Sequence, residues 1–137
     1  MDIYLGTEVS CDTIKRWVNI VNEEFGLSDK NESSYRFFES MKNFYIFIID
    51  PVMYAVLEPA TDMWGTKEMN VVSFYIMKEH RSLKNLSLLQ NKIEEIAKAF
   101  NVKVLNQGAH LDDRLFLYLK RKGYKQASMR KELSWEK

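Results

Sequence analysis

The nine residues Glu79-His80-Arg81-Ser82-Leu83-Lys84-Asn85-Leu86-Ser87 concentrate more chemistry than any other stretch of this chain. A carboxylate, an imidazole, a guanidinium and an ammonium stand directly ahead of an amphipathic run. A helix N-terminus carries unpaired N–H donors and the positive end of the dipole, so it attracts anions. Arg81 and Lys84 would add charge, and Ser82, Asn85 and Ser87 would add polar atoms. An imidazole such as that of His80 is the side-chain type suited to moving a proton. No glycine occurs here, although glycine is what lets a backbone approach a phosphate closely. A solvated polar loop and helix start that binds nothing is the competing reading of Ser82–Ser87.

Other chemistry is sparse. No cluster has metal-ligand spacing, so no metal is expected. His110 is isolated, Cys11 lacks an evident partner, and neither a P-loop nor a Ser-His-Asp signature occurs. The basic cluster Lys120-Arg121-Lys122 with Lys125 suits a helix C-terminus. A net charge of +1 gives no clear nucleic-acid signal.

The elements that position these residues follow from periodicity. Asp2–Leu5 reads as a short strand ended by Gly6. Ser10 or Asp12 caps a helix carrying Ile14, Trp17, Val18, Val21 and Phe25 on one face, and Gly26 stops it. A second helix fits Glu32–Lys42, with Tyr35, Phe38 and Met41 inward. Phe44–Ile49 is a strand, Asp50-Pro51 a turn, and Val52–Leu57 its antiparallel partner, closed by Pro59. Thr61–Lys67 is a connection containing Gly65.

Val71–Met77 is apolar on both faces, which places it centrally in a sheet. Leu86, Leu89, Ile93, Ile96, Ala97 and Phe100 form a helical stripe, followed by a strand at Val102–Leu105. That unit is what a parallel crossover requires. Leu111, Leu115, Tyr118 and Leu119 mark a last helix ending at Gly123, and Ala127–Trp135 has strand spacing. The order β-α-α-β-β-β-α-β-α-β gives an α/β mixed sheet covered by helices.

The chain's 137 residues, 46% hydrophobic and 28% charged, suit one domain over residues 1–137. One cysteine excludes an internal disulfide and favours a reducing, cytoplasmic setting. No apolar run is long enough to span a membrane, and Asp2 directly after Met1 is unlike a signal peptide.

This element order resembles the GNAT N-acyltransferases. The resemblance rests on Val71–Met77 leading into Glu79-His80-Arg81, on the helix Leu86–Phe100, and on Tyr118-Leu119-Lys120-Arg121-Lys122-Gly123-Tyr124. It implies a GNAT-like fold and transfer of an acyl group from acetyl-CoA, or another acyl-CoA, directly to an amine. Ile76, Met77 and Lys78 would line a splay between the fourth and fifth strands, where backbone N–H groups polarise the thioester carbonyl. Arg81, Ser82, Lys84, Asn85, Leu86 and Ser87 would meet the pyrophosphate.

Tyr118 would protonate the departing thiolate, though the family's tyrosine stands four residues before the glycine, here at Leu119. Glu68 occupies a position some members use for the base, with Glu79 and His80 as alternatives. Asp112 lies near a family asparagine. The departures at the loop leave a second function open: an inactive binding or assembly protein of this fold, phage-encoded and either cytoplasmic or virion-associated. It would take a protein partner, anchored by surface aromatics such as Trp64, Tyr45 or Trp135.

Overall fold

β-Branched and aromatic runs separated by short turns build most of the sheet, and amphipathic helices cover it. A computed structural model describes residues 1–108 and 113–125, and the chain clusters into two compact units, Met1–Gln107 and Gly108–Lys137. The first unit runs β1 (Asp2–Leu5), α1 (Cys11–Glu24), α2 (Asn31–Met41), β2 (Ile46–Ile49), β3 (Met53–Thr61), β4 (Lys67–Ile76), α3 (Leu83–Ala99) and β5 (Val104–Gln107). The second holds α4 (Asp113–Arg121). The expected strand Ala127–Trp135, with His110, Leu111, Asp112 and Trp135, lies outside the described residues.

The sheet order is β1-β2-β3-β4-β5. All neighbours are antiparallel except β4 and β5, which are parallel. The parallel pair needs the α3 crossover, which is the connection the sequence pattern suggests.

Two cores result, one on each face. Ile48, Ala55, Leu57 and Met69 pack with Leu89, Ile93, Ile96 and Ala97 of α3. Phe47, Tyr54, Val56 and Tyr75 pack with Ile14, Trp17 and Val18 of α1, joined by Tyr35, Phe38 and Met41 of α2. The period-2 alternation of the strands sorts side chains between these faces.

Helix ends follow their chemistry. Ser10 caps α1, its side chain accepting from the Thr13 N–H. Gly26 (φ 67°) follows α1, and Leu27 and Gly26 donate back to the Asn22 and Glu23 carbonyls, a Schellman close. Gly123 (φ 95°) closes α4 the same way, with Tyr124 bonded to Leu119 and Gly123 to Lys120.

Several boundaries differ from the sequence reading. Lys42–Phe44 is a single 3₁₀ turn and Phe44 is exposed, so β2 begins at Ile46. β3 runs through Pro59 to Thr61, because β2 pairs it only as far as Leu57. Past that point β3 is an edge, and a proline is tolerated where no ladder bond is needed. The connection expected over Thr61–Lys67 is the hairpin loop of residues 62–66, with Thr61 and Lys67 as the strand ends. Asp62 Oδ1 accepts from the Trp64 and Thr66 N–H groups, and β4 starts at Lys67. β5 is shifted to Val104–Gln107, since Asn101 (φ 55°) and Val102 are spent closing α3.

Candidate functional site

The centre of interest is the place where β4 parts from β5. Their parallel register covers Glu68, Met69, Asn70 and Val71 of β4, opposite Val104 to Gln107. On the other side β4 pairs with β3 along its whole length, but the register slips between Val56↔Ser73 and Leu57↔Val71. Val72 is the extra residue of a β-bulge. Bulges sharpen local twist and bend a strand away from its neighbour, and this one falls directly after the last β5 pair. Gln107 is held there by reciprocal amide bonds of 2.8 and 3.0 Å with buried Gln90 of α3.

Beyond the bulge, the β5-facing edge of β4 has no strand partner among the described residues. The Met77 N–H donates to the Val52 carbonyl at 2.9 Å. Antiparallel ladders alternate, so Tyr75 and Ser73 also turn their amides toward β3, while Phe74 and Ile76 turn theirs to the open edge. Met77, expected beside the splay, therefore has its own amide bonded to the β3 side. The Ile76 carbonyl accepts from Arg81 Nε at 2.9 Å, and Lys78 is exposed in the short 3₁₀ turn Lys78–His80.

At the far end of this edge, α3 begins three residues earlier than its apolar stripe suggests, with Ser82 as N-cap. Ser82 Oγ accepts from the Asn85 N–H at 3.1 Å, and the Ser82 carbonyl accepts from the Leu86 N–H at 2.9 Å. Asn85 and Leu86 are thus spent inside the helix end. The Ser82, Leu83 and Lys84 N–H groups have no partner among the described residues. Asn85 Nδ2 donates to the His80 carbonyl at 2.7 Å and fixes the turn, and Ser87 lies half-buried in the first turns of α3. No acidic residue stands in the first turn of α3, so nothing local neutralises its dipole.

Arg81 is committed within the protein. Its guanidinium pairs with Glu24 at the end of α1 at 2.7–2.8 Å and lies 5.3 Å from the Tyr75 ring centroid. Tyr75 OH donates to the same carboxylate at 3.0 Å. This knot ties α1 to the end of β4. Burial, then the Glu24 carboxylate, push the Tyr75 phenol up to about 12.

A tyrosine raised in the fold above its ordinary value near 10 adds stability that is complete below pH ~10 and lost as pH climbs toward ~12. Stability measured by urea titration should therefore fall across that window. Tyr75→Phe should make the fall shallower. An unchanged pH profile in that variant would remove Tyr75 from the account.

One constellation escaped the sequence reading. Glu58, Asn70 and Asn106 occupy a single register row across β3, β4 and β5. Asn106 Nδ2 donates to Asn70 Oδ1 at 2.9 Å, and Asn70 Nδ2 donates to Glu58 Oε1 at 3.2 Å. Their neighbours Leu57, Met69 and Leu105 face α3, so the row stands on the α1 side. All three are half-buried, and Glu58 Oε2 has no partner among the described residues. The Glu58 charge, after burial, raises the phenol of nearby Tyr45. Asn70 is two residues from the bulge, about 7 Å along the strand. Only the register brings these residues together, so no local motif could have announced them.

The other expected residues are dispersed. Glu68 shares the face of the row but sits two residues farther from the bulge. About 26 Å of strand separates it from Ile76, and His80 and Glu79 lie exposed beyond that end. Glu68 and His80 therefore cannot serve one reaction centre. Tyr118 is half-buried on α4, and Lys122 Nζ is 5.8 Å from its ring centroid. Leu119, in the place where the resemblance expects a tyrosine, is buried. Of the suggested interface aromatics, Tyr45 is buried and Trp64 is 82% exposed at the β3–β4 hairpin tip. Cys11 is not without a partner: its Sγ lies 3.6 Å from both Glu39 carboxylate oxygens. Among the described residues no helix is long and apolar enough to cross a membrane.

No family model matches the sequence, and no curated protein matches it. Solved structures do match in fold. An aminoglycoside acetyltransferase from an uncultured soil metagenomic sample superposes with a TM-score of 0.70 at 15% identity, covering 98% of each chain. The ribosomal-protein-alanine N-acetyltransferase of Brucella melitensis gives 0.64 at 12% identity, covering 99% of this chain and 100% of that one. A predicted acetyltransferase of Clostridium acetobutylicum, solved with acetyl-CoA, gives 0.67 at 14% identity and 92% coverage of both. The fold is that of the GNAT acetyltransferases.

Proposed function

We propose that this chain is an acyl-CoA-dependent N-acyltransferase whose acceptor is an amine. The observation that carries the reading is the edge of β4 beyond Val72, which has no strand partner among the described residues and ends at the Ser82, Leu83 and Lys84 amides of α3. A pantetheine arm pairs with such an edge as a strand would, and the Ser82, Leu83 and Lys84 amides with the Lys84 ammonium receive the pyrophosphate. In this reading the Phe74 and Ile76 N–H groups are the donors that polarise the thioester carbonyl.

Glu58, oriented by Asn70 and Asn106, takes the proton from the attacking amine as its nitrogen bonds to the carbonyl carbon. Collapse of the tetrahedral adduct breaks the C–S bond, and the thiolate leaves as the CoA anion, taking its proton from solvent. Glu68 and His80, one on each side of the proposed centre, have no part in it. Acetyl-CoA is the simplest donor.

A second reading has its own support. Arg81, the expected pyrophosphate ligand, is bound to Glu24 and to the Ile76 carbonyl, as suits a scaffold whose anion site has been given over to packing. In that case the protein is an inactive binding or assembly member of the fold, with a protein partner and exposed Trp64 as an anchor.

Thermal unfolding with acetyl-CoA separates the two. Binding to the native state alone stabilises by about 2.7 kcal/mol at a concentration 100 times Kd, so the melting temperature should climb with ligand. Lys84→Ala should weaken binding about two- to fivefold, the worth of one exposed ion contact. No shift at millimolar acetyl-CoA would sink the enzyme reading.

A further inference from the structure

We propose that the space between α1, α2 and the sheet is a binding site for a small neutral apolar molecule carrying one hydrogen-bond acceptor, anchored by the Trp17 indole N–H. The cavity measures about 120 Å³ and is lined chiefly by Ile14, Trp17, Val18, Phe38, Phe47 and Val56. Trp17 is 5% exposed, and its Nε1 is buried with no hydrogen-bond partner. A buried indole N–H normally finds an acceptor, so an orphan donor on a residue that lines an open volume points to a missing group.

The other polar groups around the cavity are already bonded. Tyr54 OH and Ser73 Oγ satisfy each other at 2.7 Å. Asn22 Nδ2 donates to Asn31 Oδ1 at 2.8 Å and to Ser34 Oγ at 3.2 Å, and Thr13 Oγ1 bonds Ser10 Oγ at 2.8 Å. A buried water wants two to four polar partners, and besides the indole N–H only Asn22 Oδ1 and the spare capacity of the lining hydroxyls remain, so water is the competing occupant.

No lining residue is charged, and burying an unpaired ammonium or carboxylate would be costly. That excludes ionic ligands. An apolar cavity of about 150 Å³ accepts benzene, so this smaller space of about 120 Å³ suits a five-membered ring or a short branched chain. An ether or carbonyl oxygen on that ligand would complete Trp17. The site stands on packing and hydrogen bonding alone, independent of acyl transfer.

Tetrahydrofuran and cyclopentane are matched probes, five-membered rings that differ only in an acceptor oxygen. Titrated into ¹⁵N-labelled protein, both should bind, with tetrahydrofuran about fivefold tighter, the worth of one net hydrogen bond. Tetrahydrofuran should also shift the Trp17 indole resonance, assigned by its absence in Trp17→Phe. That variant should bind the two probes equally. Val56→Leu, which fills the cavity without removing the donor, should weaken both and serves if Trp17→Phe does not fold. Failure of either probe to bind, equal affinities in the unaltered protein, or an indole N–H contacting a long-lived water that tetrahydrofuran does not displace would each overturn the proposal.

Discussion

Glu58→Gln should lower the rate of acetyl transfer to an amine by about 10²–10⁴-fold, the usual contribution of a positioned general base, with acetyl-CoA affinity unchanged. The amide keeps the side chain's shape and its acceptor for Asn70, but it cannot take a proton at neutral pH. The row Glu58–Asn70–Asn106 is a chain of side-chain bonds laid across three strands, so the carboxylate is held and not swinging. Its second oxygen, without a partner among the described residues, is the feature a base needs. Asn70→Ala should give a smaller loss, because Asn70 orients without accepting the proton. The check is steady-state kinetics beside calorimetric acetyl-CoA binding. A Glu58→Gln enzyme with full kcat would dismiss Glu58 and return the search to Glu68.

Gly6→Ala should lower stability by about 3 kcal/mol, at the upper end of what overpacking costs. For a chain of this size that amounts to a fall in Tm of roughly 10 °C. A Cβ built on Gly6 would stand 1.7 Å from the Lys42 carbonyl oxygen and 2.6 Å from its carbon. Those are backbone atoms of the 3₁₀ turn after α2, and the Gly6 N–H is itself bonded to the Tyr45 carbonyl at 2.8 Å. Neither segment can withdraw without breaking that bond or shifting β2 against β1. Gly26→Ala, where open space surrounds the glycine but φ is positive, should cost only about 1 kcal/mol. Equal losses in the two variants would show that conformation, and not contact, governs Gly6.

Much of the architecture is legible in the chain because it rests on local periodicity. The stripe Ile14-Trp17-Val18-Val21 can bury itself only as a helix. The doubly apolar Val71–Met77 stretch can stand only inside a sheet, and a strand–helix–strand unit can close only as a parallel crossover. Ser10 and Gly26 mark their helix ends by the donors and dihedrals they supply. Boundaries were lost where a neighbour decides them. Pro59 lies within β3 because β2 has already stopped, a fact contained in no window around residue 59.

The site divides along the same line. Sequence alone set the residue types beside α3, the absence of glycine there, and the order of elements that suggests the fold. Tertiary structure alone spent Arg81 on Glu24, tied the Met77 amide to Val52, slipped the register at Val72, and set Glu58 in line with Asn70 and Asn106. Helix and strand periods act over a few residues, whereas register, bulges and ion pairs between elements join residues up to 57 positions apart. Their energies depend on which surfaces meet, and that is fixed only when the whole sheet has closed.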